Sequence, residues 1–132
     1  MPPEGNERQA GRITGVNGLL IWTDQFPAML HFYRDVLGLA PRHEREGFVN
    51  FEWGDFRLTI GVHDDVHGPS REPLRMMVNL AVDDIHATHR RLARIGVKFS
   101  RSPEQEPWGG WVATFADPDG NTLQLLQPPP GG

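Results

Sequence analysis

Cysteine is absent from the 132 residues, and lysine nearly so: Lys98 is the only one among 13 basic side chains. The first absence excludes disulfide-stapled scaffolds and thiolate-ligated zinc modules, so burial alone must hold the chain together. A chain of this length buries roughly two thirds of its unfolded surface, enough for a real core in one domain or two very small ones. No apolar run approaches the roughly 20 residues of a membrane span. The 13 bases are spread among 17 acids, for a formal charge of −4, and leave no basic footprint. Neither nucleic acid nor a membrane is expected as a partner, and a cationic or neutral molecule is easier to accommodate than an anionic one. What is present is 38 % hydrophobic residues, too many for a disordered chain. Residues 1–11 are polar and punctuated by Gly and Pro. They read as a flexible start rather than a secretory signal, so the expected location is cytoplasmic.

The first clear element is an apolar, partly β-branched run over 13–22 that predicts a buried strand, with Asp24 placed to cap the next element. Over 26–37, Phe26, Leu30, Tyr33 and Leu37 recur at i, i+4, i+7 and i+11, the stripe of a helix with one buried face. Gly38 supplies the left-handed residue that ends such a helix, and Pro41 prevents its resumption. Segments 47–53 and 56–62 flank the Gly54-Asp55 turn and read as a hairpin. A polar stretch over 63–73 is a linker. The same order of signals then returns: a strand over 76–82, Asp84 as a cap, a helix over 85–95 with Ile85, His89, Leu92 and Ile95 on one side, Gly96 as its stop, and strands over 97–100, 110–116 and 122–126. The last two are joined by Asp117-Pro118-Asp119-Gly120-Asn121, in which every position favours a turn. Residues 128–132 form a flexible tail.

The pattern is an internal repeat of two β-α-β-β-β modules, about 12–62 and 74–127, within a single domain over 12–127. Either half alone leaves one sheet face bare. The α+β fold expected is therefore two βαβββ modules packed together, with helices outside and a shared, cupped, mixed β-sheet between them.

Three segments, Phe32-Tyr33-Arg34-Asp35-Val36-Leu37-Gly38-Leu39, Ala81-Val82-Asp83-Asp84-Ile85 and Phe115-Ala116-Asp117-Pro118-Asp119-Gly120-Asn121-Thr122-Leu123-Gln124-Leu125, resemble the hallmarks of the vicinal oxygen chelate superfamily. This is the glyoxalase, bleomycin resistance protein and dioxygenase group. The resemblance covers nearly the whole folded chain and implies the paired βαβββ fold, usually in a homodimer. In metal-dependent members, His, Gln and Glu side chains from the first and fourth strands of each module hold a divalent ion that chelates vicinal oxygens of the substrate.

Carried over residue by residue, those four positions fall on Asn17, Thr59, Met77 and Gln124. The set offers no imidazole and no carboxylate, a poor match for Zn, Fe, Ni or Mn. No His precedes His31, the strand over 76–82 has none, and no acid comes after Asp119; only His63 lies in phase with Thr59, which makes it the one alternative donor. No metal or other cofactor is therefore expected. His86 and His89 are expected as one exposed and one half-buried helix residue. Pro107-Trp108-Gly109-Gly110-Trp111 resembles the stretch before the Asp-Pro-Asp-Gly-Asn turn in drug-binding relatives, and its glycines and indoles suit close approach to a ligand. Trp53, Phe51 and Phe115 are expected to extend that wall. The leading expectation is a metal-free binder of a small organic molecule, of the drug-binding or resistance type. The alternatives are a metal-dependent lyase, isomerase or dioxygenase acting on a vicinal-oxygen substrate through His63 or a misplaced set, and a structural or regulatory module whose cup is filled by its own side chains.

Overall fold

The computed structural model describes residues 11–131, so the flexible start expected over 1–11 lies almost wholly outside the described residues. The elements run β1 (Gly18–Thr23), a helix α1 (Phe26–Leu30) that continues as a π-helical turn (His31–Val36), β2 (His43–Arg45), β3 (Phe48–Trp53), β4 (Phe56–Val62), β5 (Met77–Ala81), α2 (Ile85–Arg94), β6 (Phe99–Gln105), β7 (Trp111–Ala116) and β8 (Thr122–Gln127). The repeat is present in full. The strands order as β1-β4-β3-β2 and β5-β8-β7-β6, with β1 parallel to β4 and β5 parallel to β8, and the other pairs antiparallel. The modules thus form two four-stranded mixed sheets rather than one continuous ladder, because β1 and β5 both stand at sheet edges.

The first strand is shorter than its apolar run suggests: Ile13 and Val16 lie outside it, exposed to solvent. The helix cap also shifts by one. Gln25, not Asp24, is the N-cap of α1, and the Asp24 carboxylate instead accepts from the Gly68 N–H of the linker. Asp84 does cap α2, accepting from the Ala87 N–H at 3.1 Å. Both helices end as expected at glycines in the left-handed region, Gly38 with φ 79° and Gly96 with φ 102°. Ile95, expected on the buried stripe of α2, sits at its C-terminal end and is exposed.

One core joins the halves. Met29 and Tyr33 from the first helix and Ile85 and Leu92 from α2 pack with Val49, Phe51, Leu58 and Ile60 of the first sheet and Ala113, Phe115, Leu123 and Leu125 of the second. A buried polar clasp crosses the same seam. The Tyr33 hydroxyl donates to Asp117 Oδ2 at 2.7 Å, and Asn121 Nδ2 donates to the same oxygen. The backbone N–H groups of Asp119 and Asn121 donate to Asp117 Oδ1. Burial holds the Asp117 carboxyl above its ordinary range despite these donors, and holds the Tyr33 hydroxyl well above its own. Beside the clasp, Gln25 Nε2 donates to Asp119. Two of the family-like segments therefore meet here and fasten one module to the other.

Candidate functional site

Side chains alternate along a strand, so each sheet has a face toward the core and a face away from it. Register assigns them. Phe51 pairs with Leu58, and Val49 with Ile60, on the core face; Asn50 pairs with Thr59, and Thr59 with Leu20, on the other. In the second sheet Phe115 and Leu123 share the core face, whereas Met77 pairs with Thr122, and Asn79 with Gln124, on the opposite one. These second faces are the candidate site. They are open in part in the single chain: Leu20 is 48 % exposed, Trp22 40 % and Met77 41 %, while Asn50, Thr59 and Thr122 on the same faces are buried.

The repeat also corrects the first of the four family positions. Cap aligned with cap, Gln25 with Asp84, Met77 corresponds to Gly18, one residue beyond Asn17, which precedes β1. Gly18 cannot readily carry an imidazole, since a Cβ there would lie 2.8 Å from the Arg57 carbonyl oxygen that borders it. The set becomes Gly18, Thr59, Met77 and Gln124. Gln124 Nε2 donates to Asn79 Oδ1 at 3.0 Å, an amide pair on the second face. His63 lies just beyond β4, its Nδ1 accepting from the Asp65 N–H, its ring edge-on to Trp22 with centroids 5.1 Å apart. Among the described residues no three His, Asp or Glu side chains converge to hold an ion. With one amide, one hydroxyl and one thioether as its only side-chain donors, this set does not fit a Lewis-acidic divalent metal.

The expected aromatic wall does not assemble. Phe51 and Phe115 are fully buried on the core faces, where Phe115 packs on Phe32 and Phe99. Trp111 turns to the helix side and meets His86 edge-on at 4.8 Å. His89, half-buried as expected, packs on Phe99, while His86 is exposed. Trp53 lines a groove of about 410 Å³ between the modules, with Leu39, Phe56, Leu58, Val78 and Leu80. Trp108 is half exposed at the β6–β7 turn and folds back over Gly110, where a Cβ would collide with the indole. Pro129 of the tail lies against Gly109 at the same turn. Of the nine expected contact residues, the open faces hold Thr59, Met77 and Gln124, and Asn17 lines the cavity over the first face.

Sequence reasoning missed what the first open face does carry. Cross-strand partners form three rows: Gly18, Arg57 and Glu52; then Leu20, Thr59, Asn50 and His43; then Trp22, Gly61, Phe48 and Arg45. Glu52 takes Arg57 through Nε at 3.0 Å and a second nitrogen at 2.9 Å, and approaches Arg42 at 3.7 Å. A cavity of about 470 Å³ opens over the first two rows, lined by Asn17, Gly18, Leu20, Glu52, Asp55, Arg57 and Thr59 among others. The signal for Trp22 was hidden, because Leu19, Leu20, Ile21 and Trp22 are all apolar and alternation cannot be read in such a run.

This pair of modules with open sheet faces defines a class, and comparison supplies its family. The family model described as the Glyoxalase/Bleomycin resistance protein/Dioxygenase superfamily matches residues 15–125, and the chain belongs to that superfamily. A bleomycin resistance protein of Klebsiella pneumoniae is 29 % identical over 111 residues, covering 77 % of this chain and 83 % of that one. Among solved structures, a glyoxalase/bleomycin resistance protein/dioxygenase from Nocardioides superposes with a TM-score of 0.71 at 20 % identity, over 99 % and 96 % of the two chains. A lactoylglutathione lyase from Agrobacterium tumefaciens gives 0.69 at 19 %, over 88 % and 95 %. These structural likenesses concern the fold.

Proposed function

We propose that this chain is a metal-free binder of a small organic molecule, of the drug-binding or resistance type. The observation that carries the reading is the donor set Gly18, Thr59, Met77 and Gln124, which suits hydrogen bonding and apolar contact and offers neither imidazole nor carboxylate. The likeness to a bleomycin resistance protein supports it. Exposed Leu20, Trp22 and Met77 also support a homodimer, in which the first open face of one copy and the second of its partner enclose the cup. No helix is long and apolar enough to cross a membrane, and a cytoplasmic setting is part of the proposal. Thermal-shift screening of the EDTA-treated protein against a library of planar organic molecules tests the reading. A saturating ligand should raise the midpoint by several degrees, since ligand at about 100 times Kd adds about 2.7 kcal/mol. Ligands that act only after addition of Zn²⁺, Fe²⁺, Ni²⁺ or Mn²⁺ would contradict it.

A further inference from the structure

The third row of the first open face carries a chemistry that the composition disguises. Although the chain has a net charge of −4, this face carries Arg42, Arg45 and Arg57, and Glu52 engages Arg42 and Arg57. Arg45 is the third. Its neighbour Glu44 is held by Arg34 at 2.8 Å, and Arg45 makes no ion pair among the described residues; its guanidinium instead lies over the Phe48 ring, 4.4 Å from the centroid.

The row has a floor as well as a charge. Gly61 stands between Trp22 on β1 and Phe48 on β3. The benzo edge of Trp22 rests over it, so close that a Cβ would lie 3.1 Å from the ring. Trp22 and Phe48 thus flank the glycine on either side, two strand spacings of about 4.8 Å apart. A planar aromatic ring stacked on Trp22 and reaching across the row would bring a carboxylate on it to the Arg45 guanidinium, a group able to make two parallel hydrogen bonds to it.

We propose that the Trp22, Gly61, Phe48 and Arg45 row is a subsite for planar aromatic carboxylates, the ring stacking on Trp22 and the carboxylate paired with Arg45. The inference rests on the reading of this face as a metal-free binding surface and adds the charge and shape of what it takes. In the adjoining row the exposed His43 side chain offers a hydrogen-bonding group to a substituent of the ring, while buried Asn50 accepts from the His43 N–H.

Isothermal titration of the intact chain with 2-naphthoate, 2-naphthamide and 2-naphthylmethylammonium, each with and without EDTA, tests it. The carboxylate should bind about 10-fold tighter than the amide, and the ammonium more weakly than either. Arg45→Gln should erase the preference for carboxylate while leaving amide affinity within about twofold, and Trp22→Ala should weaken both by about 10-fold. The inference is overturned if the ammonium binds as well as the carboxylate, if the preference survives Arg45→Gln, or if none of the three binds. Binding that disappears in EDTA overturns the metal-free reading beneath it as well, and that outcome is distinct from the others.

Discussion

The two modules present the same register positions on their open faces and furnish them with different chemistry. Gly18, Leu20 and Trp22 on β1 correspond to Met77, Asn79 and Ala81 on β5; Arg57, Thr59 and Gly61 on β4 correspond to Thr122, Gln124 and Leu126 on β8. The first face is aromatic and cationic. The second is centred on an Asn79–Gln124 amide pair beside a thioether, and on its edge strand Arg101, opposite Thr114, is paired with Glu104 and Glu106. Behind both faces the core is built alike, from Phe51 and Leu58 in one sheet and Phe115 and Leu123 in the other. Burial conserves what the repeat needs for packing, and the open side is where the halves are free to differ. A ligand held between two such faces would meet an arginine and an indole on one side and an amide pair on the other.

The comparison breaks outright if the faces have been assigned to the wrong sides. Phe51→Ala and Phe115→Ala should each destabilise the chain by about 3–5 kcal/mol in urea denaturation, because both rings are core. Trp22→Ala and Gln124→Ala, on the open faces, should cost less than about 1 kcal/mol. Equal losses at all four sites would mean that the open faces are interior. A smaller effect probes the seam. Tyr33→Phe removes the hydroxyl that reaches Asp117 and should cost about 1–2 kcal/mol, with urea denaturation remaining a single transition. Two separated transitions would show that the halves fold independently.

The smallest expected effect is on pH dependence. Burial raises the Asp117 carboxyl, so the native state binds its proton more tightly than the unfolded chain. Its contribution to stability is then fully present below the ordinary value of 3.8 and is lost as pH rises from there through the folded value. Asp117→Asn should flatten that limb in a stability–pH profile, and an unchanged limb would assign it to other carboxyls.

What was legible in the sequence was local. The helix stops at Gly38 and Gly96, the Asp84 cap and the turn from Asp117 to Asn121 are set by neighbouring residues, and each stands where expected. The fold emerged from the order of those signals repeated twice. The site was less legible, because it depends on register and on side. Pairing Asp24 with Asp84 sets the repeat one residue out and matches Met77 to Asn17 rather than Gly18; Asn17 precedes β1 and lines the same cavity as Gly18. Phe51, Phe115 and Trp111 looked like a ligand wall because aromatic residues serve cores and pockets equally well; their partners Leu58, Phe99 and His86 decide the matter. The Trp22 to Arg45 row spans four strands and exists only once those strands are paired.

Metal content decides between a metal-free binder and a metal-dependent enzyme. The protein should be incubated with Zn²⁺, Fe²⁺, Ni²⁺ or Mn²⁺, dialysed, and assayed for bound metal beside a Gln124→Ala variant. A metal-free binder retains only traces of metal in both, well below one ion per chain. One tightly held divalent ion per chain in the wild type, lost in Gln124→Ala, would contradict that reading.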